Sequence, residues 1–422
     1  MEDYLFPPKE LLKPRVDTDN YMSFQQTKEM AEKLEGMFRS FGLPYEVSDH
    51  KFNNIAVVMK LTLKDEPGKP PVPFEKKVRS VVKLKPDIEL CLGNPIEFHE
   101  TYNSLEISVK SINRRSVALR DIMLSDKFKS SPSCLTVAAG TDISGGVFVF
   151  DLEKISNLLV VGVTGSGKSV FLNDILLSIL AKATADQVRL ILMDFKKVEL
   201  NHYEGIPHLL YKHAITEPEE ALVELDKMVE ESERRIQLLK EASVRDISAY
   251  NRTTSEHVPH IVILIDEFIE LLEKAKDALP EEKAWDFWNQ ILKQLETISE
   301  SSVWTGIHTV LATQSAKARD SDMKTTKEHD DKNFLLDSLR FIKPHASLVV
   351  VSKKESAELA RKEDIKREKD DGPVRMLGEG DMLFSVGAED PGVHIQTAMV
   401  TPEEVDRVVQ YIRQANEEKG KE

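Results

Sequence analysis

Residues 162–169 read Gly-Val-Thr-Gly-Ser-Gly-Lys-Ser, a glycine, lysine and hydroxyl spacing suited to a polyphosphate. Gly162, Val163, Thr164, Gly165, Ser166 and Gly167 would turn backbone N–H groups toward phosphate oxygens. Lys168 would reach the β- and γ-phosphates, and the Ser169 hydroxyl would bind Mg²⁺, so the cofactors this pattern implies are ATP and Mg²⁺. A second group lies further along, where His260–Ile265 ends in Asp266-Glu267. Asp266 would hold the metal through water and Glu267 would polarise the attacking water. Phosphoryl transfer needs mostly positioning and charge neutralisation, which these groups can supply. A third polar residue, Gln314, follows the apolar run Gly306–Thr313. It could sense the γ-phosphate or serve as a strand-end amide bonded to a loop.

Such side chains act together only if the fold delivers them to one edge. Leu158, Leu159, Val160, Val161 and Val163 surround the entry to the glycine loop, and the helical run Val170–Leu180 follows it. His260–Ile265 and Gly306–Thr313 are short apolar runs of the buried-strand type, and Val188–Met193, ending at Asp194, is another. From Asn157 onward strand and helix alternate, which predicts a parallel sheet with crossover helices. In open α/β sheets ligands bind at the C-terminal strand ends, where all these polar residues fall.

The chain has 422 residues, enough for two or three domains. No run of apolar residues is long enough to span a membrane, and the acidic start Met1-Glu2-Asp3 is unlike a signal peptide. Cys91 and Cys134 lack metal-ligand spacing and read as small buried residues, so the expected location is cytoplasmic. Net charge is −15, and it is uneven: residues 1–120 carry 19 Lys/Arg and 18 Asp/Glu. The acidic remainder excludes a generally basic, nucleic-acid-coating surface and confines any DNA contact to a few side chains.

Residues 1–118 read as a small α+β unit: an arm with Pro7, Pro8 and Pro14, a helix over Ser23–Phe41, strands at Ile55–Leu63 and Ser104–Val109, and a proline break at Pro67–Pro73. Residues 119–422 form the larger unit, with a hairpin turn at Asp142–Gly146. Thr216 offers a helix N-cap with Glu219 as capping-box partner, and Leu222, Leu225, Val229, Ile236 and Leu239 form one helical stripe. Lys274–Trp288, Lys317–Lys332 and Lys353–Asp371 are charge-rich and read mainly as solvated inserts or exposed segments, with a channel-facing, phosphate-contacting role as the other reading of Lys317–Lys332.

Taken together, the motifs resemble the motor region of the FtsK/SpoIIIE family of DNA translocases. The most diagnostic string is Met193-Asp194-Phe195-Lys196-Lys197-Val198-Glu199-Leu200-Asn201, continuing through Tyr203 to Gly205–Leu210. Leu119–Ile122, Gly140–Gly145, Glu233-Arg234-Arg235, Gly306-Ile307-His308, Ala312-Thr313-Gln314 and Gly378–Phe384 occur in family order. The resemblance implies a RecA-like P-loop ATPase domain beside a smaller N-terminal α+β domain. It also implies a homo-oligomeric ring of six, ATP between protomers, duplex DNA in a central channel, and a membrane-anchored or recombination partner without direct membrane insertion. Chromosome segregation is the cellular setting it suggests.

Two positions depart from the family pattern. Ser315 and Pro344-His345-Ala346 stand where the family carries arginines, and nearby Arg340 is either the substitute that reaches a neighbour's phosphate or a surface or packing arginine. The loop before Pro344 is long and charged. The chain stops soon after Gly380 with no basic winged-helix extension, which reads as a motor fragment or a short relative. Three functions follow: an ATP-driven duplex translocase; a conjugation or secretion ATPase moving single strands or protein; and a weakly hydrolysing adaptor in a mixed ring.

Overall fold

The computed structural model describes residues 6–14, 24–52, 56–65, 68, 70–94, 96–101, 104–110, 117–142, 145–155, 157–162, 165–314, 346–350, 380–386 and 393–419. The expected inserts at 317–332 and 353–371, together with Val163, Thr164, Ser315, Arg340, Pro344 and His345, lie outside these residues.

A short 3-10 turn, Lys9–Leu11, precedes α1 (Phe24–Ser40), β1 (Tyr45–Phe52), β2 (Ala56–Leu63), α2 (Phe74–Lys83), α3 (Lys85–Leu92), β3 (Ile96–Thr101) and β4 (Ser104–Lys110). The four strands form an antiparallel sheet in the order β1-β2-β4-β3. Its core joins Leu34 and Phe38 of α1 to Met59, Leu61, Ile88 and Ile107. The proline break is followed by two helices, because proline suits helix starts: Pro73 is the N-cap of α2 and Pro86 lies in the first turn of α3.

The large unit begins with β5 (Val117–Ala118), α4 (Leu119–Leu124), α5 (Asp126–Lys129), β6 (Thr136–Asp142), β7 (Val147–Asp151), β8 (Asn157–Val161), α6 (Lys168–Leu180) and β9 (Val188–Asp194). It continues through α7 (Pro218–Ala242), α8 (Ile247–Thr253), β10 (His260–Asp266), α9 (Phe268–Ala278), α10 (Glu281–Thr305) and β11 (Ile307–Thr313). The remaining described elements are β12 (Ala346–Val350), β13 (Asp381–Val386), β14 (Val393–Met399) and α11 (Pro402–Lys419).

Its ten-stranded sheet runs β7-β6-β14-β13-β12-β8-β11-β10-β9, with β5 paired to β14. The half from β12 to β9 is parallel, as the strand–helix alternation requires. The half from β7 to β12 is antiparallel, so the sheet is mixed rather than wholly parallel. Alternate residues of the central strands feed separate cores. Leu158, Val160, Leu190, Leu192, Val262 and Leu264 meet α6 and α11 on one face. Leu159, Val161, Ile191, Met193, Ile261 and Ile263 meet the α7, α9 and α10 layer on the other.

The arm packs on this larger unit. Leu12 joins its core, and Arg407 of α11 donates to the Leu11 carbonyl through Nε at 3.0 Å and Nη2 at 2.9 Å. The start of α7 also departs from expectation. Glu217, not Thr216, is the N-cap, with Pro218 inside the helix and no side-chain cap; the Thr216 hydroxyl donates instead to the Glu217 carboxylate at 3.2 Å. The buried stripe of α7 is rotated from the expected one and runs through Ala221, Leu225, Met228, Ser232, Arg235 and Leu239. Ser232 and Arg235 are satisfied by Ser301 Oγ at 2.6 Å and the Thr305 carbonyl at 2.7 Å, both on α10. Lys274–Trp288 spans the end of α9, the break at Leu279-Pro280 and the start of α10, and it contributes to the core: Trp288 is fully buried, with its ring 4.9 Å from that of Phe268. Cys91 and Cys134 are free and half-buried.

Candidate functional site

The phosphate loop hangs between β8 and α6 and is tied on both sides. Gly162 N–H donates to the Thr313 carbonyl at the end of β11, at 3.0 Å. At the other end, Gly380 N–H donates to the Ser166 carbonyl at 2.8 Å, and Thr397 N–H donates to the Gly380 carbonyl at 2.7 Å. Gly165 and Gly167 adopt φ of 77° and 103°, which a side chain would strain. A Cβ on Gly167 would also come within 3.1 Å of Gly380 Cα. The loop therefore depends on glycine for its turn and for this close approach.

Lys168 opens α6 and is buried. Its ammonium contacts Asp266 Oδ1 and lies 2.9 Å from Glu267 Oε1. Burial alone would lower its pKa, but Asp266 and Glu267 outweigh that and hold it above the ordinary lysine value. Asp266 ends β10, while Glu267 is the N-cap of α9 in a left-handed conformation (φ 53°, ψ 55°). That backbone is uncommon outside glycine and is held here by strand and helix on either side.

On the opposite side of Glu267, Lys196 Nζ lies 3.4 Å from Oε2. Lys196 belongs to a loop organised by Asp194, the β9 residue paired in register with Asp266. Asp194 Oδ1 accepts the N–H groups of Lys196 and Lys197 at 3.1 and 2.9 Å. Its Oδ2 accepts those of Val198, Glu199 and Leu200 at 2.9, 2.9 and 3.1 Å. One buried carboxylate thus fixes five successive backbone groups.

The strand order brings Lys168, Asp266 and Glu267 together from elements far apart in sequence. Ser169 follows Lys168 on the first turn of α6 and is half-buried, as is Gln314 just beyond β11. Arg340, Val163 and Thr164 lie outside the described residues. Sequence reasoning assigned no task to Asp194, Lys196 or Gly380, although the motifs containing them stood out.

The residues present fit a nucleotide phosphate. The buried Lys168 ammonium faces the site, Ser166 Oγ is buried without a partner, and the space beside Gly165 is open for at least 4 Å. They also fit Mg²⁺ better than a metal caged by protein. Among the described residues no cluster of three His, Cys, Asp or Glu could hold a metal. A hydroxyl and one carboxylate completed by phosphate and water is a usual Mg²⁺ arrangement, and Ser169 and Asp266 are the residues of those types that would hold the ion here. Among the described residues, no helix is long and apolar enough to cross a membrane.

Residues 118–318 match the model of the FtsK/SpoIIIE family. The DNA translocase FtsK of Caldanaerobacter subterraneus subsp. tengcongensis is 32% identical over 418 residues, covering 98% of this chain and 53% of that protein. The DNA translocase SftA of Bacillus subtilis is 34% identical over 346 residues, covering 80% of this chain and 33% of that protein. The chain thus spans about half the length of the FtsK relative and a third of the SftA relative. The pCW3 conjugation coupling protein TcpA, solved as a monomer with ATPgS, shares the fold with a TM-score of 0.53 and 18% identity. That match covers 92% of this chain and 99% of TcpA.

Proposed function

We propose that the chain belongs to the FtsK/SpoIIIE family, whose model its residues 118–318 match, and that it is the motor portion of an ATP-driven DNA translocase. The observation that carries the ATPase reading is the convergence of Lys168, Asp266 and Glu267 at the C-terminal edge of the parallel strands. When bound, Mg²⁺·ATP supplies a γ-phosphoryl group whose transfer to water releases the driving energy. Lys168 draws charge from the β- and γ-phosphate oxygens. The backbone N–H groups of Gly165, Ser166 and Gly167 would orient the phosphates. Ser169 and Asp266 would hold the metal, Glu267 would accept a hydrogen bond from the attacking water, and Gln314 would meet the γ-phosphate from the adjacent strand end.

In this reading the chain works in the cytoplasm as a ring of six protomers with duplex DNA in the channel, and Arg340 serves the neighbouring protomer's site. A membrane-anchored or recombination partner would give the motor its cellular address. We divide the chain near 118/119, with the small working unit inside residues 24–110 and the arm riding on the large unit. Phosphate-backbone contacts carry no sequence information, so movement is independent of sequence.

Steady-state ATP hydrolysis with Mg²⁺ tests this reading, measured alone, with linear duplex and with single strands, using Lys168→Ala as the blank. Stimulation by duplex is the expected result. Stimulation by single strands alone would assign the chain to conjugation-type transport, and flat activity throughout would assign it to an adaptor role.

A further inference from the structure

Two cations flank the Glu267 carboxylate, one on each oxygen: Lys168 at Oε1 and Lys196 at Oε2, at 2.9 and 3.4 Å. They differ in what else they can bind. Lys168 opens the helix behind the glycine loop, and any phosphate bound there competes with both carboxylates for its ammonium. Lys196 lies just beyond β9, and among the described residues its ion-pair partner is Glu267. We propose that Lys196 is a positioning residue that holds Glu267 in register when Lys168 turns to phosphate, a role that rests on the ATPase reading above.

The loop is built for this placement. The five N–H groups gathered by Asp194 fix the backbone from Lys196 to Leu200. Lys197 has φ of 59°, and this left-handed residue turns the chain so that consecutive lysines diverge. Lys197 points outward to Glu217 Oε1 at 2.8 Å and is half-exposed, whereas Lys196 points to the buried Glu267. A flexible lysine on a mobile loop would hold nothing in place; one whose backbone is bonded to a buried carboxylate can. With Lys196 on Oε2, Oε1 becomes the oxygen available to water once Lys168 departs. Without Lys196, Glu267 would lose its second anchor, and a misplacement of about 1 Å costs on the order of 100-fold in rate.

The test compares Lys196→Met, Lys196→Arg and Lys197→Met in the whole chain, with kcat and KM for ATP measured in the presence of linear duplex and nucleotide affinity measured separately by equilibrium titration. Lys196→Met should lower kcat on the order of 100-fold with KM and affinity within about twofold of the parent. Lys196→Arg should recover most of kcat, and Lys197→Met should match the parent. Parent-like kcat in Lys196→Met would overturn the proposal. So would equal losses of kcat and affinity in Lys196→Met and Lys196→Arg, which would mark a structural loop residue. If the parent itself does not exceed the Lys168→Ala blank, the ATPase reading falls and takes this role with it. A working parent with an unaffected Lys196→Met removes only the role of Lys196.

Discussion

Gly380 donates its backbone N–H to the carbonyl of Ser166 at 2.8 Å, so the strand following a long charged segment braces the tip of the phosphate loop. The left-handed backbone at this position favours glycine, and an added Cβ would have to displace two side-chain ends. Gly380 has φ of 71°, and a Cβ there would sit 2.5 Å from Gln396 Nε2 and 2.8 Å from Thr397 Oγ1.

Gly380→Ala should therefore shift the brace and loosen the loop, weakening ATP binding about tenfold, which is about 1.4 kcal/mol. Gly68→Ala is the control. Its φ of 79° imposes comparable backbone strain, but its Cβ would meet nothing within 4 Å. Equal ATP affinity in the two variants would show that the brace has no bearing on the site.

Glu267→Gln preserves size and removes the charge that orients water. It should bind nucleotide at least as tightly as the parent, because Lys168 loses one of its two competing carboxylates. Hydrolysis should drop on the order of 100-fold or more. Turnover at the parent rate would assign water activation to another group.

Asp194→Asn leaves one carbonyl oxygen where two carboxylate oxygens serve five N–H groups. Some of these N–H groups, among them that of the buried Leu200, lose their acceptor, and we expect a stability loss of about 1–3 kcal/mol by urea denaturation. An unchanged midpoint would mean that the loop keeps its shape without the carboxylate.

Three buried histidines make stability depend on pH. Burial lowers His208 and His308 to about 4 and His260 to about 3, against an ordinary value of 6.5, so all three are neutral in the folded chain at pH 7. The unfolded chain takes up protons below its pKa of about 6.5 while the folded chain does not, so stability rises with pH through this window. The histidine contribution is fully present above about 6.5 and is lost as pH falls toward 4. Between pH 7.5 and 5.5 each histidine should contribute a loss of about 1 kcal/mol in ΔG by chemical denaturation. His308→Gln should flatten that slope, and an identical slope in the variant would show that His308 does not carry it.

The placement of Lys168, Asp266 and Glu267 was legible because phosphate chemistry constrains residue type and because each follows an apolar strand. The helices α2 and α3 were obscured by prolines that read as a break yet stand at helix starts. Trp288 was obscured by charges on the outer face of α10; the apolar series Ala284, Phe287, Trp288, Ile291, Leu295 and Ile298 on its inner face was the available signal. The stripe on α7 was misplaced because Ser232 and Arg235, polar by type, are buried against partners on α10 that only the fold supplies. Lys196 facing Glu267 has no signature at all, since it depends on the diverging turn at Lys197.

The arm at Leu11 and Leu12 is fastened to α11 and the large core, and β5 is fastened to β14, while the small sheet lies between these points in the chain. The small sheet is thus bracketed in sequence by two points fixed on the large unit, so the chain leaves that unit to build the small sheet and then returns to it.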